Sequence, residues 1–396
     1  MKNRIRRVAL LIESSRNYGR GVLRGVARYA QVNGPWSFFT VERELHSGVP
    51  DWLRGWKGDG IIARIEDRRM AAKLLKVGCP VVDVLAQARF PGIVGFDTDA
   101  KQVAQMAADF FLQAGFNHFA FIGYPGIPFS DRRGDAFAVC VLEKNRQVLQ
   151  MPLSKTRLTV KDIQAIELQG LDAELEIARW LKRQPRPLAV FACNDVRAQQ
   201  VLNACRENGI RVPEDVAVMG VDNDDVLCNL CDPPLTSVEP DAERLGHEAA
   251  TLLNRLMQGE TVTENITKIP PIRLVERAST DVIAMDDPVM VQAVRFIRNS
   301  LSDGIAVKDV LNHVSRSRTD LENRFWQSLH CTIYEEIFRR RMALVARLLR
   351  ETDLPLRELA VKAGFATSAH LCRLFRLHHG KTPMNFRAAA KIDNRL

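Results

Sequence analysis

The sequence predicts an α/β domain followed by a separate all-α domain, and three observations support this division. Short apolar runs alternate with amphipathic helical stretches from the N-terminus to about residue 280, which is typical of parallel sheets covered by helices. The strand-like runs then stop, and the remaining residues show helical periodicity with one pattern that occurs twice. The chain has a formal net charge of +9, and nearly all of it lies in this last part.

Composition and charge limit the classes of protein that the chain can belong to. Apolar residues make up 46% and charged residues 26% of the 396 residues, which excludes collagen-like, disordered and disulfide-scaffold proteins. Residues 287–396 hold 19 Lys+Arg and 11 Asp+Glu, whereas residues 1–286 hold 37 and 36. A basic C-terminal part beside a neutral one suits a nucleic-acid-binding domain, and a solvated basic face is the alternative.

The eight cysteines indicate reduced thiols, and we expect no metal or cofactor. Four lie in apolar or helical stretches and are expected in the core: Cys79, Cys140, Cys193 and Cys205. Cys228 and Cys231 form one Cys-x-x-Cys without a second pair or a nearby histidine, so loop packing is favoured over zinc or redox chemistry. The apolar run 8–12 is too short for a signal peptide, and no run reaches the ~20 residues of a membrane span. We therefore expect a cytoplasmic protein without membrane contact.

The α/β part is predicted from its apolar runs and the helical stretches that follow them. The predicted strands are 7–12, 60–65, 80–85, 93–96, 117–123, 188–193 and 216–221. The predicted helices are 20–30, 68–76, 99–113, one through 136–143, 196–208 and 242–257. Asp99 is a suitable N-cap for the third helix, and Gly115 is a suitable stop after it.

Polar side chains follow several predicted strands, at the edge where open α/β sheets bind their ligands. After the first two strands these residues are Glu13, Ser14, Arg16, Arg64, Glu66 and Asp67. After the strands 188–193 and 216–221 they are Asn194, Asp195, Arg197, Asp222 and Asn223. Carboxylates, amides and arginines that converge on a cleft suit a polyhydroxylated ligand such as a sugar. For each single residue, a helix cap or a surface charge is the alternative.

The same positions lack the motifs of common catalytic sites. There is no Gly-x-Ser-x-Gly, no Walker loop and no Gly-x-Gly-x-x-Gly, of which Gly19-Arg-Gly21 is only a partial echo. No histidine stands at these strand ends. A sugar-processing hydrolase or kinase with a helical appendage remains as an alternative, with Glu13 and Asp222 as its pair of carboxylates.

Four segments of the α/β part resemble the LacI-type sensor domain. They are Asn194-Asp195 at a strand end, Val218-Met-Gly-Val-Asp-Asn223, Leu235-Thr-Ser-Val before a long helix, and Arg133 in Arg133-Gly-Asp-Ala-Phe137. The resemblance covers residues 4–280 and implies a two-lobed fold like that of periplasmic sugar-binding proteins, with the ligand in the cleft. It implies lobe 1 at about 1–115 and 240–257, and lobe 2 at about 116–239 and 268–276. It also makes Arg133 a ligand-contacting arginine. The DNA-binding headpiece that precedes this domain in LacI-type repressors is not expected here.

The last part of the chain contains one helical pattern twice. Ile305, Val307, Val310, Leu311 and Val314 match Leu354, Leu356, Leu359, Ala360 and Ala363 at an offset of 49 residues, and Leu321 and Phe325 match Leu371 and Phe375 at 50. Each copy predicts a short helix, a tight turn and a second helix. Gly364 stands at the second turn, whereas the first turn has Val314-Ser315 where a glycine would be more usual. One long helix, 334–350, is predicted between the copies.

Two helix-turn-helix units joined by a helix resemble the AraC-type DNA-binding domain, over residues 288–390. The segments that carry this resemblance are Asp353-Leu-Pro-Leu-Arg-Glu-Leu-Ala, Ala363-Gly-Phe365, His370-Leu-Cys-Arg-Leu-Phe375, Thr382-Pro383 and Phe386-Arg387. Cys372 departs from the pattern, since it replaces the common small polar residue on the second recognition helix.

The recognition helices are predicted at 317–327 and 368–379, and the residues that face away from their apolar stripes are candidates for DNA contact. In the first unit they are Arg316, Arg318, Thr319, Glu322 and Asn323; in the second they are Thr367, Ser368, His370, Arg373 and Arg376. Arginine can bind guanine, asparagine can read adenine, and Ser and Thr commonly hold phosphates. Glu322 is a candidate to accept a hydrogen bond from cytosine, and a helix cap or an ion pair is the alternative for it. Arg339, Arg340 and Arg341 are interpreted as phosphate anchors or surface charge.

Together the two resemblances imply a sugar-responsive, sequence-specific transcription regulator. We predict a sensor domain at 1–280, a linker at 281–287 and a DNA-binding domain at 288–396. The implied ligand is a pentose such as D-xylose, and the implied role is activation of pentose catabolism genes. The implied partners are double-stranded DNA with promoter half-sites, a second copy of the chain in a homodimer, and RNA polymerase. A sugar-dependent protein–protein switch that never meets DNA is a further alternative.

Overall fold

The computed structural model describes residues 5–45, 47–86, 90–152, 158–168, 171–262, 266–281 and 287–393. The chain divides into two compact units, Met1–Ala284 and Met285–Leu396, here called the α/β unit and the helical unit. The described residues of the α/β unit form two six-stranded sheets, one in each of two lobes, whereas the described part of the helical unit consists of helices and connecting turns. This confirms the predicted α/β domain followed by an all-α domain.

The first sheet is parallel and is built mostly from the N-terminal third of the chain. Its strands are β1 (Arg6–Leu11), β2 (Trp36–Thr40), β3 (Gly60–Ala63), β4 (Val81–Asp83), β5 (Val94–Thr98) and β11 (Ile266–Ile269). Their spatial order is β11-β5-β4-β3-β1-β2. Three helices cover it: α1 (Asn17–Asn33), α2 (Arg68–Leu75) and α9 (Ala242–Met257). The backbones of α1 and α9 nearly touch, because a Cβ on Gly246 would lie 2.0 Å from the carbonyl oxygen of Val22.

The second sheet is parallel except at one edge. Its strands are β6 (His118–Ile122), β7 (Val148–Gln150), β8 (Leu188–Ala192), β9 (Val216–Val221), β10 (Thr236–Pro240) and β12 (Pro271–Val275). Their order is β12-β10-β9-β8-β6-β7, and β12 runs antiparallel to β10. The helices of this lobe are α3 (Ala100–Gln113), α4 (Pro128–Leu142), α5 (Val160–Leu168), α6 (Leu171–Leu181), α7 (Asp195–Glu207) and α8 (Asp225–Leu230).

The chain crosses between the lobes earlier than predicted. Helix α3 packs on the second lobe, because Val103, Ala107 and Phe111 share a buried core with Phe119 and Phe137. The first crossing therefore follows β5 and does not lie at about residue 115. The predicted return segment 268–276 is likewise divided, since β11 belongs to the first sheet and β12 to the second.

The helical unit contains two small cores that share one long helix. Its helices are α10 (Pro288–Asn299), α11 (Val307–Val314), α12 (Arg318–Leu329), α13 (Ile333–Glu351), α14 (Leu356–Lys362), α15 (Ser368–His379) and α16 (Pro383–Asp393). Leu321 and Phe325 of α12 are fully buried in the first core, and Leu371 and Phe375 of α15 are fully buried in the second. The repeated apolar pattern thus gives two helix-turn-helix units, and α13 contributes residues to both cores.

The two helix-turn-helix units enter their turns differently. Ser315 ends α11 with φ +51°, a left-handed conformation that costs a non-glycine residue some stability. Gly364 occupies the second turn with φ +69°, and a Cβ there would lie 2.0 Å from the carbonyl oxygen of Leu301. Glycine is therefore required at 364 for two reasons, the sign of φ and the space.

We expect Gly364→Ala to destabilise the helical unit by more than the ~1–2 kcal/mol that a left-handed residue costs on its own. Gly380→Ala is the matched control, because Gly380 also has φ +69° but a Cβ there would meet no atom within 4 Å. Urea unfolding of the full chain, followed by circular dichroism, measures both losses. Equal losses in the two variants would show that the contact with Leu301 is unimportant.

The predicted linker 281–287 lies for the most part outside the described residues, since 282–286 are not among them. Among the helices of the described residues, none combines the length and the apolar character that crossing a membrane requires.

Candidate functional site

Charged side chains from both lobes meet at the carboxyl ends of the strands. Glu13 and Arg64 follow β1 and β3 in the first lobe, and Arg133 and Asp222 lie on α4 and after β9 in the second. Together with Arg16, at the start of α1, these five residues are here called the cleft cluster. Asp222 lies within electrostatic reach of the other four.

The first lobe contributes a buried ion pair to the cleft cluster. Glu13 is 4% exposed, and its Oε1 accepts a hydrogen bond of 2.9 Å from Nη1 of Arg64. Burial on its own would lower the pKa of Arg64, but the carboxylates of Glu13 and Glu66 hold that pKa above its ordinary value. The first lobe thus places a guanidinium and a carboxylate side by side at the cleft.

The second lobe contributes Arg133 and Asp222. Nη2 of Arg133 lies 3.7 Å from Oδ1 of Asp222, and its Nη1 donates to the carbonyl oxygen of Cys193. The guanidinium also stands over the ring of Phe129, 5.5 Å from the ring centre. Burial raises the pKa of Asp222, and the guanidinium groups of Arg133, Arg16 and Arg64 oppose that rise.

Direct contacts join the two lobes around the cleft cluster. Arg16 forms an ion pair with Glu167 of α5, and the hydroxyl of Tyr124 donates to the same carboxylate at 3.1 Å. Nη2 of Arg132 lies 3.0 Å from Oδ2 of Asp97. The ion pairs Arg16–Glu167 and Arg132–Asp97 thus both join the two lobes.

Several of these residues were not predicted from the sequence. Glu167 lies on a helix that the apolar pattern did not reveal, and Asp97 lies inside a strand and not after it. Tyr18 is a further case: its hydroxyl lies 3.2 Å from Oγ1 of Thr98, and burial near Asp97, Asp222 and Glu13 raises its pKa. The sequence could have indicated Tyr18, because it stands two residues after Arg16, a predicted ligand residue.

Three predicted ligand residues make contacts inside the second lobe. Oδ1 of Asn194 accepts from the backbone N–H of Arg197 at 2.9 Å, so Asn194 is the N-cap of α7. Arg197 is 1% exposed, donates to Gln200 at 2.7 Å and stands over the ring of Tyr124. Asp195 is 2% exposed and accepts from the Ser237 hydroxyl at 2.6 Å. A direct role of these three toward a ligand stays a prediction.

Asp195 fixes the loop that carries Asp222. Its second oxygen accepts from the backbone N–H of Asp224 at 2.9 Å. The loop needs this support, because Asp222 and Asn223 have φ +110° and +45°, values that residues other than glycine rarely adopt. Burial, with a smaller contribution from the nearby Asp222, raises the pKa of Asp195 to about 8.

The raised pKa of Asp195 predicts a pH dependence of stability. The folded protein holds a proton on Asp195 that the unfolded chain releases near pH 4, so this contribution is complete below about pH 4 and is lost as the pH rises toward 8. Asparagine cannot ionise, so in Asp195→Asn the melting temperature should fall less between pH 5 and pH 8 than in the wild type. Asp172→Asn, at an exposed position, should keep the wild-type slope. Parallel curves for the wild type and Asp195→Asn would contradict the assignment.

The cleft cluster is suited to binding hydroxyl groups. It presents carboxylate acceptors and guanidinium donors, while the carboxylates of Glu13 and Asp222 each face an arginine. Neither carboxylate is therefore placed as a free acid or base. In the part of the chain that the structure describes, no three His, Cys, Asp or Glu side chains are grouped closely enough to hold a metal ion.

The helical unit exposes most of the predicted DNA-contacting side chains. Those that the structure leaves exposed are Arg316, Arg318, Thr319, Asn323, Thr367, His370, Arg373 and Arg376, and Ser368 is partly buried. Thr367 also caps α15 by accepting from the backbone N–H of His370 at 3.2 Å, as Ser317 caps α12 with Asp320. The two second helices thus start with equivalent caps and present polar faces to solvent.

Three other residues that were candidates for DNA contact, Glu322, Arg340 and Arg341, form contacts within the helical unit. Glu322 accepts from the backbone N–H of Ile333 at 3.2 Å, which favours the capping interpretation over a contact with cytosine. Arg340 is 8% exposed and donates at 2.6 Å to Glu336, which is fully buried. Arg341 donates to the carbonyl oxygen of Ile305 at 2.9 Å. The interpretation as a surface charge is therefore wrong for Arg340, which is buried against Glu336 of the same helix. Arg341 is half-buried and Arg339 is 57% exposed, and a phosphate contact of these two stays a prediction.

Trp326 is a candidate DNA contact that sequence reasoning missed. It is 61% exposed on α12 and shares a helix face with Thr319 and Asn323, since the three stand at i, i+4 and i+7. Its spacing from Asn323 and Thr319, two predicted DNA contacts, was the available signal, because residues three and seven positions apart share one face of a helix.

Three domain families match the chain in succession. Residues 7–100 match the XylR N-terminal domain, residues 108–280 the periplasmic binding protein-like domain, and residues 310–389 the helix-turn-helix domain. The first two matches include all five residues of the cleft cluster, and the third includes both recognition helices.

Proteins similar over their full length are also found. The xylose operon regulatory protein of Escherichia coli K12 is 30% identical over 390 residues, which is 96% of this chain and 96% of that protein. The protein of the same name from Haemophilus influenzae is 30% identical over 96% of this chain and 98% of its own length. A solved structure of a xylose-binding transcription activator, XylR, has a TM-score of 0.74 and 30% identity, and the match covers 98% of this chain and 99% of that one.

These full-length matches cover both the α/β unit and the helical unit of the chain. The enzyme alternative, which treated the helical unit as an appendage, is therefore wrong, because the relatives that share both units are transcription regulators. The chain belongs to the family of xylose operon regulatory proteins.

Proposed function

We propose that this chain is a D-xylose-responsive transcription activator that binds the sugar in the cleft of its α/β unit and DNA through the two recognition helices of its helical unit. The observation that carries the proposal is the cleft cluster, which places paired carboxylates and arginines from two lobes around one site, in a chain similar from end to end to xylose operon regulators.

The sugar is proposed to bind between Glu13 and Arg64 on one lobe and Arg133 and Asp222 on the other. Each pair offers charged groups that form stronger hydrogen bonds with hydroxyls than neutral groups do. Binding to both lobes favours the closed arrangement over the open one, because a ligand shifts a conformational equilibrium by its difference in affinity for the two states.

The DNA contacts are proposed to come from the exposed faces of α12 and α15. One subunit is then expected to contact two successive major-groove segments, about 34 Å apart on one face of the duplex. We further propose that the protein acts as a homodimer on two half-sites, contacts RNA polymerase and works in the cytoplasm, where its DNA lies.

The proposal is tested with the full-length protein in two binding experiments. Thermal unfolding with D-xylose, D-ribose, L-arabinose and D-glucose should show stabilisation by D-xylose at the lowest concentration, since a ligand of the folded state raises its stability. Binding to duplex DNA should weaken steeply with salt, because neutralised phosphates release counterions. The absence of stabilisation by any of the sugars contradicts the sensor role, and DNA binding with no salt dependence contradicts the DNA role.

The mechanism can be tested separately by varying the distance between half-sites. If lobe closure changes the arrangement of paired helical units, D-xylose alters the preferred spacer and leaves base preference unchanged. Affinities for a single half-site and for a series of spacers, measured with and without sugar, decide this. An equal effect of sugar on every duplex would contradict a geometric mechanism.

A further inference from the structure

The segment by which the chain leaves the α/β unit, residues 277–281, is bound to the loop that carries Asp222. This segment is here called the exit segment. Arg277 is 7% exposed and donates from Nη1 to the carbonyl oxygen of Leu235 and from Nη2 to Oδ1 of Asn223, both at 2.9 Å. Because Asn223 directly follows Asp222 in the chain, the hydrogen bond from Arg277 to Asn223 links the exit segment to the residue next to the cleft carboxylate.

Further buried hydrogen bonds attach the exit segment to the second sheet. The hydroxyl of Thr236 donates to the carbonyl oxygen of Arg277 at 3.0 Å and accepts from its N–H at 2.8 Å. Ser279 donates from its hydroxyl to the carbonyl oxygen of Val218 at 2.6 Å and accepts from the N–H of Thr236 at 2.8 Å. Buried hydrogen bonds are costly to leave unmade, so the exit segment moves with the second lobe.

Asn223 also contacts the first lobe. Its backbone oxygen accepts from Nδ2 of Asn17 at 3.3 Å, and Asn17 is the first residue of α1. The left-handed backbone of Asp222 and Asn223 persists only where neighbouring groups hold it, and Arg277 and Ser237 are two of those groups. A change in the separation of the lobes therefore reaches Arg277 through Asn223.

We propose that Arg277 is a positioning residue that couples sugar binding in the cleft to DNA binding by the helical unit. Through its hydrogen bond to Asn223, Arg277 links the position of the loop with Asp222 to the position of the exit segment. The exit segment leads in sequence to the helical unit. This inference rests on the proposed function. Coupling between two sites is reciprocal, so loss of Arg277 changes the effect of sugar on DNA affinity and the effect of DNA on sugar affinity by the same factor.

The test replaces Arg277 by methionine in the full-length protein, which removes the hydrogen-bond donors and keeps an apolar stem. DNA affinity without sugar should stay within about threefold of wild type, whereas the ratio of DNA affinities with and without D-xylose, measured at a sugar concentration that saturates each variant, should fall at least about fivefold toward one. Arg273→Met is the matched control, because Arg273 lies on β12 of the same lobe with a 53% exposed side chain and pairs with Glu239. It should keep the wild-type ratio.

An unchanged ratio in Arg277→Met, or an equal fall in Arg273→Met, would overturn the proposal. If the unfolding curve shows that Arg277→Met is not folded, Arg277→Lys is measured in its place. Lysine keeps the charge but lacks the forked donors of arginine, so the ratio of DNA affinities should also fall. An unchanged ratio in Arg277→Lys would then overturn the proposal. A wild-type protein that shows no D-xylose binding or no sugar-dependent DNA affinity overturns the proposed function itself. A responsive wild type with an equally responsive Arg277 variant overturns only the coupling.

Discussion

Replacing Asp222 by asparagine should shift the stabilisation of the protein by D-xylose to higher sugar concentrations while leaving sugar-free DNA affinity nearly unchanged. Asparagine has the same shape and tolerates the left-handed backbone at this position. It lacks the negative charge that lies within electrostatic reach of Arg133, Arg16 and Arg64, so the cleft loses one of its two carboxylates. Losing a charged hydrogen-bond partner in a buried site costs about 1–3 kcal/mol, or roughly 5- to 150-fold in sugar affinity.

The measurement is the shift of the unfolding temperature against D-xylose concentration, with calorimetric titration as a second readout. Asp225→Asn is the matched control, because it makes the same chemical change three residues later on the exposed surface of α8. We expect it to behave as the wild type does. Wild-type sugar affinity in Asp222→Asn would place the ligand outside the cleft cluster.

Replacing Arg373 by alanine should weaken specific DNA binding by roughly 5- to 150-fold, corresponding to about 1–3 kcal/mol for one good bidentate contact. Arg373 is exposed on α15, between the cap at Thr367 and the buried Phe375. If it contacts a base, the variant loses preference at one position of the half-site; if it contacts a phosphate, all sequences weaken alike and the salt slope falls by about one. Sugar affinity should not change.

The matched control for Arg373→Ala is Arg244→Ala, which removes the same charge from an exposed position of α9 in the α/β unit. Competition binding to a set of single-base variants of the half-site measures both affinity and preference. Equal, small losses in the two variants would mean that Arg373 acts only through the overall charge of the protein and that α15 is not a recognition helix.

The parts of the fold that could be predicted from sequence are those in which burial is complete. Strands such as β8 and β9 are buried at every residue, so they form continuous apolar runs. The edge strands β2 and β7 are short and half-exposed, so their patterns do not stand out from loops. The helical repeat was visible because each copy buries the same apolar positions, including Leu321 and Leu371.

The assignment of helices to lobes could not be predicted from local pattern. The apolar face of α3 does not by itself identify the sheet that covers it, and in the structure its buried alanines and Phe111 share a core with Phe119 of the second lobe. Local periodicity identifies which face of a helix is buried, but the partner of that face is decided by contacts with residues distant in sequence.

For the candidate site, the rule that ligands lie beyond strand ends brought together Glu13, Arg64 and Asp222 correctly as neighbours in space. It could not separate side chains that face the cleft from those that hold the loops, as the contacts of Asn194 and Asp195 show. Nor could it indicate Glu167, because that residue comes from a helix far along the chain and approaches the cleft only in the folded structure.

The control of DNA binding by sugar is tested by the affinity of the full-length protein for duplex DNA as a function of D-xylose concentration, at constant salt. The duplex carries two half-sites selected from a random library by the wild-type protein. D-Xylose should change the dissociation constant at least about fivefold, with a midpoint at the concentration that stabilises the protein, and Asp222→Asn should respond only at sugar concentrations roughly 5- to 150-fold higher. A protein that is stabilised by D-xylose and binds the duplex, but whose DNA affinity is the same at every sugar concentration, would contradict the account.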